Sequence, residues 1–138
     1  MKKRTLAREF ALQILYQIDI GHEGYEEVLK NFWQSKLEEE IEEEVKEFSA
    51  SLVKGTVDNL APIDEKITQF ATNWQLERMA FVDRNILRLG VFELVFRSDI
   101  PPKVTINEAV ELAKKFSGKE AGKFVNGILD KIKIEIKK

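Results

Sequence analysis

The chain has 138 residues, 43% hydrophobic and 33% charged, with 7 Gly, 3 Pro and no Cys; this is apolar material enough for one packed domain, in a composition that favours helix. Without cysteine there can be no disulfide, no thiolate nucleophile and no Cys-based zinc site. The net charge of −2 divides unevenly: residues 1–17 carry +3, residues 114–138 carry +5 and the middle carries −10, so the protein presents a face for a polyanion if its two ends meet.

Taken in chain order, residues 4–18 place Leu6, Ala7, Phe10, Ala11, Ile14, Leu15 and Ile18 at the spacing of an amphipathic helix. Gly21 and Gly24 stop it around His22, and a second helix is expected over residues 25–35 with Val28, Leu29, Phe32 and Trp33 inward. Residues 38–47 hold seven glutamates, but Leu37, Ile41, Val45, Phe48, Leu52 and Val53 keep the helical period, which predicts one helix through this run to about residue 60. Pro62 suits the first turn of a fourth helix whose buried stripe is Ile63, Ile67, Phe70 and Trp74. Residues 79–97 are apolar on most of their circumference and predict the central helix. Pro101 and Pro102 end it. The next helix is expected to start at Thr105, with Thr105 and Glu108 forming a capping box, and to end near Ser117 and Gly118. The last begins near Glu120 and buries Phe124 or Val125, then Ile128, Leu129 and Ile132. The fold class is therefore all-α. The expected internal seam lies near residues 62–78, between an N-terminal group of about 1–74 and a C-terminal group of about 75–138.

Little here can run a reaction. The single histidine, His22, sits among loop glycines with no serine or aspartate partner motif. The stretch Ser117-Gly118-Lys119-Glu120-Ala121-Gly122-Lys123-Phe124 fails as a phosphate-binding loop: three residues separate its glycines, Phe124 follows Lys123, and no strand precedes it. It remains a Lys-bearing helix start, suited to an anion. No catalytic residue, cofactor or metal is expected. No stretch reaches the ~18 apolar residues of a membrane span and no apolar run follows the basic N-terminus, so a cytoplasmic protein is expected. On the first helix, Tyr16 falls about 80° from Arg8 on the polar arc. An exposed ring beside Arg4 and Arg8 can stack an unpaired base while the guanidinium groups hold phosphates; packing against a neighbouring helix is the competing reading.

Ala7-Arg8-Glu9, Ala11, Gln13, Leu15-Tyr16-Gln17 and Asp19 resemble the first helix of the NusB family. A more specific series follows: Phe81-Val82-Asp83-Arg84-Asn85-Ile86-Leu87-Arg88-Leu89, Glu93-Leu94, Pro101, Val104, Ile106-Asn107-Glu108-Ala109-Val110-Glu111-Leu112-Ala113-Lys114 and Lys123-Phe124-Val125-Asn126-Gly127-Ile128-Leu129-Asp130. The resemblance implies about seven helices in two packed three-helix bundles and a transcription antitermination factor without enzymatic activity. It further implies that the factor binds single-stranded boxA RNA together with the small-subunit ribosomal protein NusE. The assembly then helps the RNA polymerase antitermination complex read through terminators, notably in ribosomal RNA operons. The RNA-facing residues it implies are Lys2, Lys3, Arg4, Arg8, Tyr16, Glu120, Lys123, Phe124 and Asn126. Asp83 and Arg84 would meet the ribosomal protein. Thr5 and Leu6 stand where some relatives carry arginine, which predicts weaker phosphate affinity, with Lys2 and Lys3 compensating.

Monomer and homodimer both stay open. Two competing readings are a protein-binding helical adaptor that uses the acidic middle and the RNA-binding module of a ribosomal RNA cytosine methyltransferase. The second expects a methyltransferase domain after this one; with Lys137 and Lys138 as the last residues read, the free-standing factor is the expectation.

Overall fold

The computed structural model describes residues 2–136, and among them it contains seven α-helices, two single turns of 3-10 helix and no strand. Lys137 and Lys138, counted above in the basic C-terminal end, lie outside the described residues.

Helix α1 (Lys3–Gly21) buries Ala7, Phe10, Ala11, Ile14 and Leu15 along the expected stripe. It ends where His22 turns left-handed, φ 57°, and donates its backbone N–H to Ile18 O at 2.8 Å. Helix α2 (Tyr25–Ser35) opens with Glu26 and Glu27, which suit the positive end of the helix dipole. It is pinned to α1 by edge-to-face contacts among Phe10, Phe32 and Trp33, with ring centroids 5.1–5.7 Å apart.

The acidic run does not continue as one helix. A 3-10 turn (Leu37–Glu39) leads to Glu40 with φ 49°, and α3 (Glu43–Asp58) starts afresh. The physical reason is repulsion. A continuous helix would stack Glu38 on Glu42, Glu39 on Glu43 and Glu40 on Glu44, like charges four residues apart.

Helix α4 (Leu60–Phe70) has Pro62 in its first turn, as expected, and buries Ile63 and Ile67. It closes at Ala71, so Trp74 lies beyond it in a turn and is 55% exposed. The expectation that Trp74 belongs to the buried stripe is thereby corrected: the helical period ended before reaching it.

Helix α5 (Phe81–Phe96) is the central helix. Its middle, from Asn85 to Leu94, is buried throughout, while Phe81, Val95 and Phe96 at its ends stand exposed. Each fully buried Ile or Leu there contributes roughly 1.5–3 kcal/mol. Close approach to α3 depends on Gly55, where an added Cβ would fall 2.1 Å from Phe92 Cζ.

Helix α6 (Pro102–Phe116) begins three residues before Thr105, because proline suits a first helical turn whose N–H needs no partner. The expected capping box is therefore absent. Thr105 is inside the helix and donates its hydroxyl to Glu93 Oε1 at 2.9 Å. Gly118, with φ 112°, supplies the left-handed residue that turns the chain into α7 (Lys119–Ile136).

Helix α1 packs on α2 and α3 on one side and on α5 on the other, and α5, α6 and α7 pack mutually. Helix α4, which the expected seam assigns to the N-terminal group, lies against α5 and α7.

Candidate nucleic-acid interface

Charges inside the fold determine which cations remain outside. Arg8, at 2% exposure, donates from Nε to Glu93 Oε2 at 2.8 Å and from Nη2 to Glu93 Oε1 at 2.9 Å, with Nη1 3.3 Å from Glu108. Thr5 donates to the same Glu108 oxygen at 2.6 Å. The expectation that Arg8 faces RNA is corrected: its guanidinium is spent joining α1 to α5 and α6. Arg84 likewise donates two hydrogen bonds to Asp19, at 2.7 and 2.6 Å, and lies over the Phe81 ring. That fork is turned inward, so Arg84 is corrected from a partner-facing cation to a bridge between α5 and α1.

Asn85 donates to Asp19 at 2.9 Å, and Arg88 spans Asp19 and Asp64. Burial alone would raise the Asp19 carboxyl. The hydrogen bonds from Arg84 and Asn85 and the charges of Arg88 and Arg84 outweigh it and hold the group below its ordinary value.

At the start of α1, Lys2 is exposed. Lys3 pairs with Glu42 at 2.9 Å and with Glu44, which hold its ammonium charged and turn it toward α3. Arg4 is exposed and sits 4.3 Å above the Phe48 ring. The other basic end divides. Lys115 reaches back to Glu9 of α1 at 2.9 Å, whereas Lys66 and Gln69 bind Glu135 and fix the far end of α7 on α4. Only the α6–α7 corner of the lysine-rich segment is tied to α1 by an ion pair among the described residues.

Two grooves flank the first turns of α7. One, of about 460 Å³, is lined by Trp74, Met79, Asp83, Glu120, Ala121 and Phe124. Trp74 and Phe124 meet edge to face at 5.9 Å, and Phe124 is half-buried. Asp83 Oδ1 is buried there without a hydrogen-bond partner. The groove adjoins a second aromatic patch in which Tyr16, 37% exposed, lies 6.3 Å from Phe81 and lines a hollow with Gln13, Val82 and Phe116. The patches are neighbours because Val82 precedes Asp83 and Phe116 precedes Ser117, which lines the first groove.

On the other flank of α7, Lys123 and Asn126 line a lysine-rimmed groove of about 410 Å³ against α6. The structure thus lines one groove with Asp83, Glu120 and Phe124, holds Tyr16 with Phe81 at a separate neighbouring hollow, sets Lys123 and Asn126 on the other flank of α7, and turns Lys3 toward α3. Sequence reasoning missed Trp74, Phe81 and Phe116. The signal for Trp74 was its distance past the helix end. Among the described residues, no cluster of His, Asp and Glu is arranged to hold a metal ion, and no helix is long and apolar enough to cross a membrane.

Among the described residues, seven helices, with α5 buried at the centre and with rings and lysines on the two flanks of α7, define a small helical protein with a mixed aromatic and cationic surface. The chain belongs to the NusB family, whose model matches residues 5–133. The transcription antitermination protein NusB of Anaeromyxobacter dehalogenans is 52% identical over 130 residues, covering 94% of this chain and 89% of that protein. The structure of T. maritima NusB superposes with a TM-score of 0.85 at 38% identity, covering 98% of this chain and 92% of that one. A chain in a crystal structure of antitermination factors NusB and NusE in complex with double-stranded RNA gives the same score at 34% identity, with 98% of each chain covered.

Proposed function

We propose that this chain is a transcription antitermination factor that binds boxA-type single-stranded RNA together with the ribosomal protein NusE and promotes read-through by RNA polymerase, notably in ribosomal RNA operons. It acts in the cytoplasm by binding, without catalysing a reaction. The observation that carries the reading is two neighbouring aromatic patches, Tyr16 with Phe81 and Trp74 with Phe124, the second across α7 from exposed lysines. Exposed rings stack unpaired bases of any sequence, and nearby cations hold the backbone. In this reading Tyr16 and Phe124 stack bases, while Lys2, Arg4 and Lys123 hold phosphates. Glu120 and Asn126 read polar edges, and Asp83 lies on the surface that meets NusE. Family membership supports the assignment of partners, because NusB and NusE occur together on RNA in the related complex.

The test is an anisotropy titration with a labelled boxA-type single strand, with and without NusE. Tighter binding is expected when NusE is present. Phe124→Ala and Tyr16→Ala should each weaken binding by about 1–3 kcal/mol. Equal affinity for a duplex of the same sequence would overturn the single-strand part of the reading. No RNA shift at all, with NusE still bound, would leave a protein adaptor.

A further inference from the structure

Resting on that RNA-binding reading, we propose that the groove between α6 and α7 holds the sugar-phosphate backbone of nucleotides flanking those seated on the aromatic surface. The two flanks of α7 differ in chemistry. The aromatic side offers Trp74 and Phe124. The α6–α7 side offers Lys114, Lys119 and Lys123, with the amides of Asn107 and Asn126, and contains no ring. A groove without a stacking platform but with convergent N–H donors suits phosphate and ribose rather than bases.

The cations are available. Lys114 lies 3.6 Å from Glu111 and Lys123 lies 3.6 Å from Glu120, both exposed pairs three residues apart on one helix. Such pairs are loose and exchange readily for a phosphate. Lys119 makes no ion pair among the described residues, and Glu111 is the one carboxylate lining the groove. Gly122 forms part of the lining, and a Cβ there would stand 3.0 Å from Lys114 Cγ. The aliphatic stem of Lys114 therefore runs over bare backbone, with its ammonium held only by the exposed Glu111.

Continuity favours RNA over an acidic protein segment. Lys123 and Phe124 are adjacent in sequence and about 100° apart around α7, so one strand that stacks a base on Phe124 needs to cross only the width of a helix to enter the groove.

The experiment uses the full chain and two labelled single strands: a boxA-type core, and the same core extended at both ends by a run of uridines. The variant is the double substitution Lys114→Gln and Lys119→Gln, two exposed positions outside the stacking surface. Wild type is expected to bind the extended strand several-fold more tightly than the core. The variant should lose that gain, keep its affinity for the core, and show a log–log salt slope on the extended strand shallower by about 0.7 for each lysine removed. An undiminished gain in the variant, or equal losses on core and extended strands, overturns the proposal. So does poly-glutamate binding that matches the extended strand and falls in the variant, which would assign the groove to an acidic protein segment. Wild type binding both strands equally removes this inference and leaves the RNA function standing. Wild type binding neither removes both.

Discussion

The seam between α1 and α5 and the first turns of α7 carry similar charged side chains and use them in opposite ways. Along the seam, Arg8, Arg84 and Arg88 are closed onto Glu93, Asp19 and Asp64 and withdrawn from water. At the α6–α7 corner, Lys115 is tied to Glu9, but Lys114 and Lys123 stand exposed with loose partners. The difference teaches that a cation's task is decided by where its counter-ion comes to rest. A buried guanidinium with a forked carboxylate fixes helix geometry, and an exposed ammonium stays available to a ligand.

The strongest way to break this contrast is Arg8→Ala. It withdraws a forked partner from Glu93 in the interior, and the expected loss is about 3–5 kcal/mol by urea unfolding. A loss under about 1 kcal/mol would put Arg8 with the surface cations instead. Next comes acid sensitivity. The folded Asp19 carboxyl lies below its ordinary value of 3.8, so its pairing stabilises the protein fully at higher pH and is lost as pH falls through the folded value. Thermal midpoints measured across that acid range should fall more steeply for wild type than for Asp19→Asn, which should already be the less stable protein at neutral pH. The smallest effect is expected for Lys123→Gln: an unchanged midpoint alongside weaker RNA binding, separating the two regions in a single variant.

Much of this was legible in the sequence. The stripe of α1, the bounds of α2 and the burial of α5 follow from periodicity, because local spacing alone sets which face is apolar. The family motifs led to Tyr16, Asp83 and Phe124; the fold puts Asp83 and Phe124 in one groove and Tyr16 in a neighbouring hollow. Arg8 was not legible as a buried group, since its partner Glu93 stands 85 positions away and no local pattern says that they will face one another. Thr105 and Glu108 matched a capping box by spacing, yet both side chains were taken by tertiary partners on α5 and α1. The break at Glu40 was foreshadowed by stacked like charges, but the apolar period ran through it and outweighed that warning.

Helix α1 touches both helix groups, with its apolar stripe on α2 and α3 and its charged forks on α5 and α6. Neither half can come apart without stripping a face from this shared helix. Denaturation is therefore expected as a single cooperative event, checked by whether the calorimetric and van't Hoff enthalpies coincide.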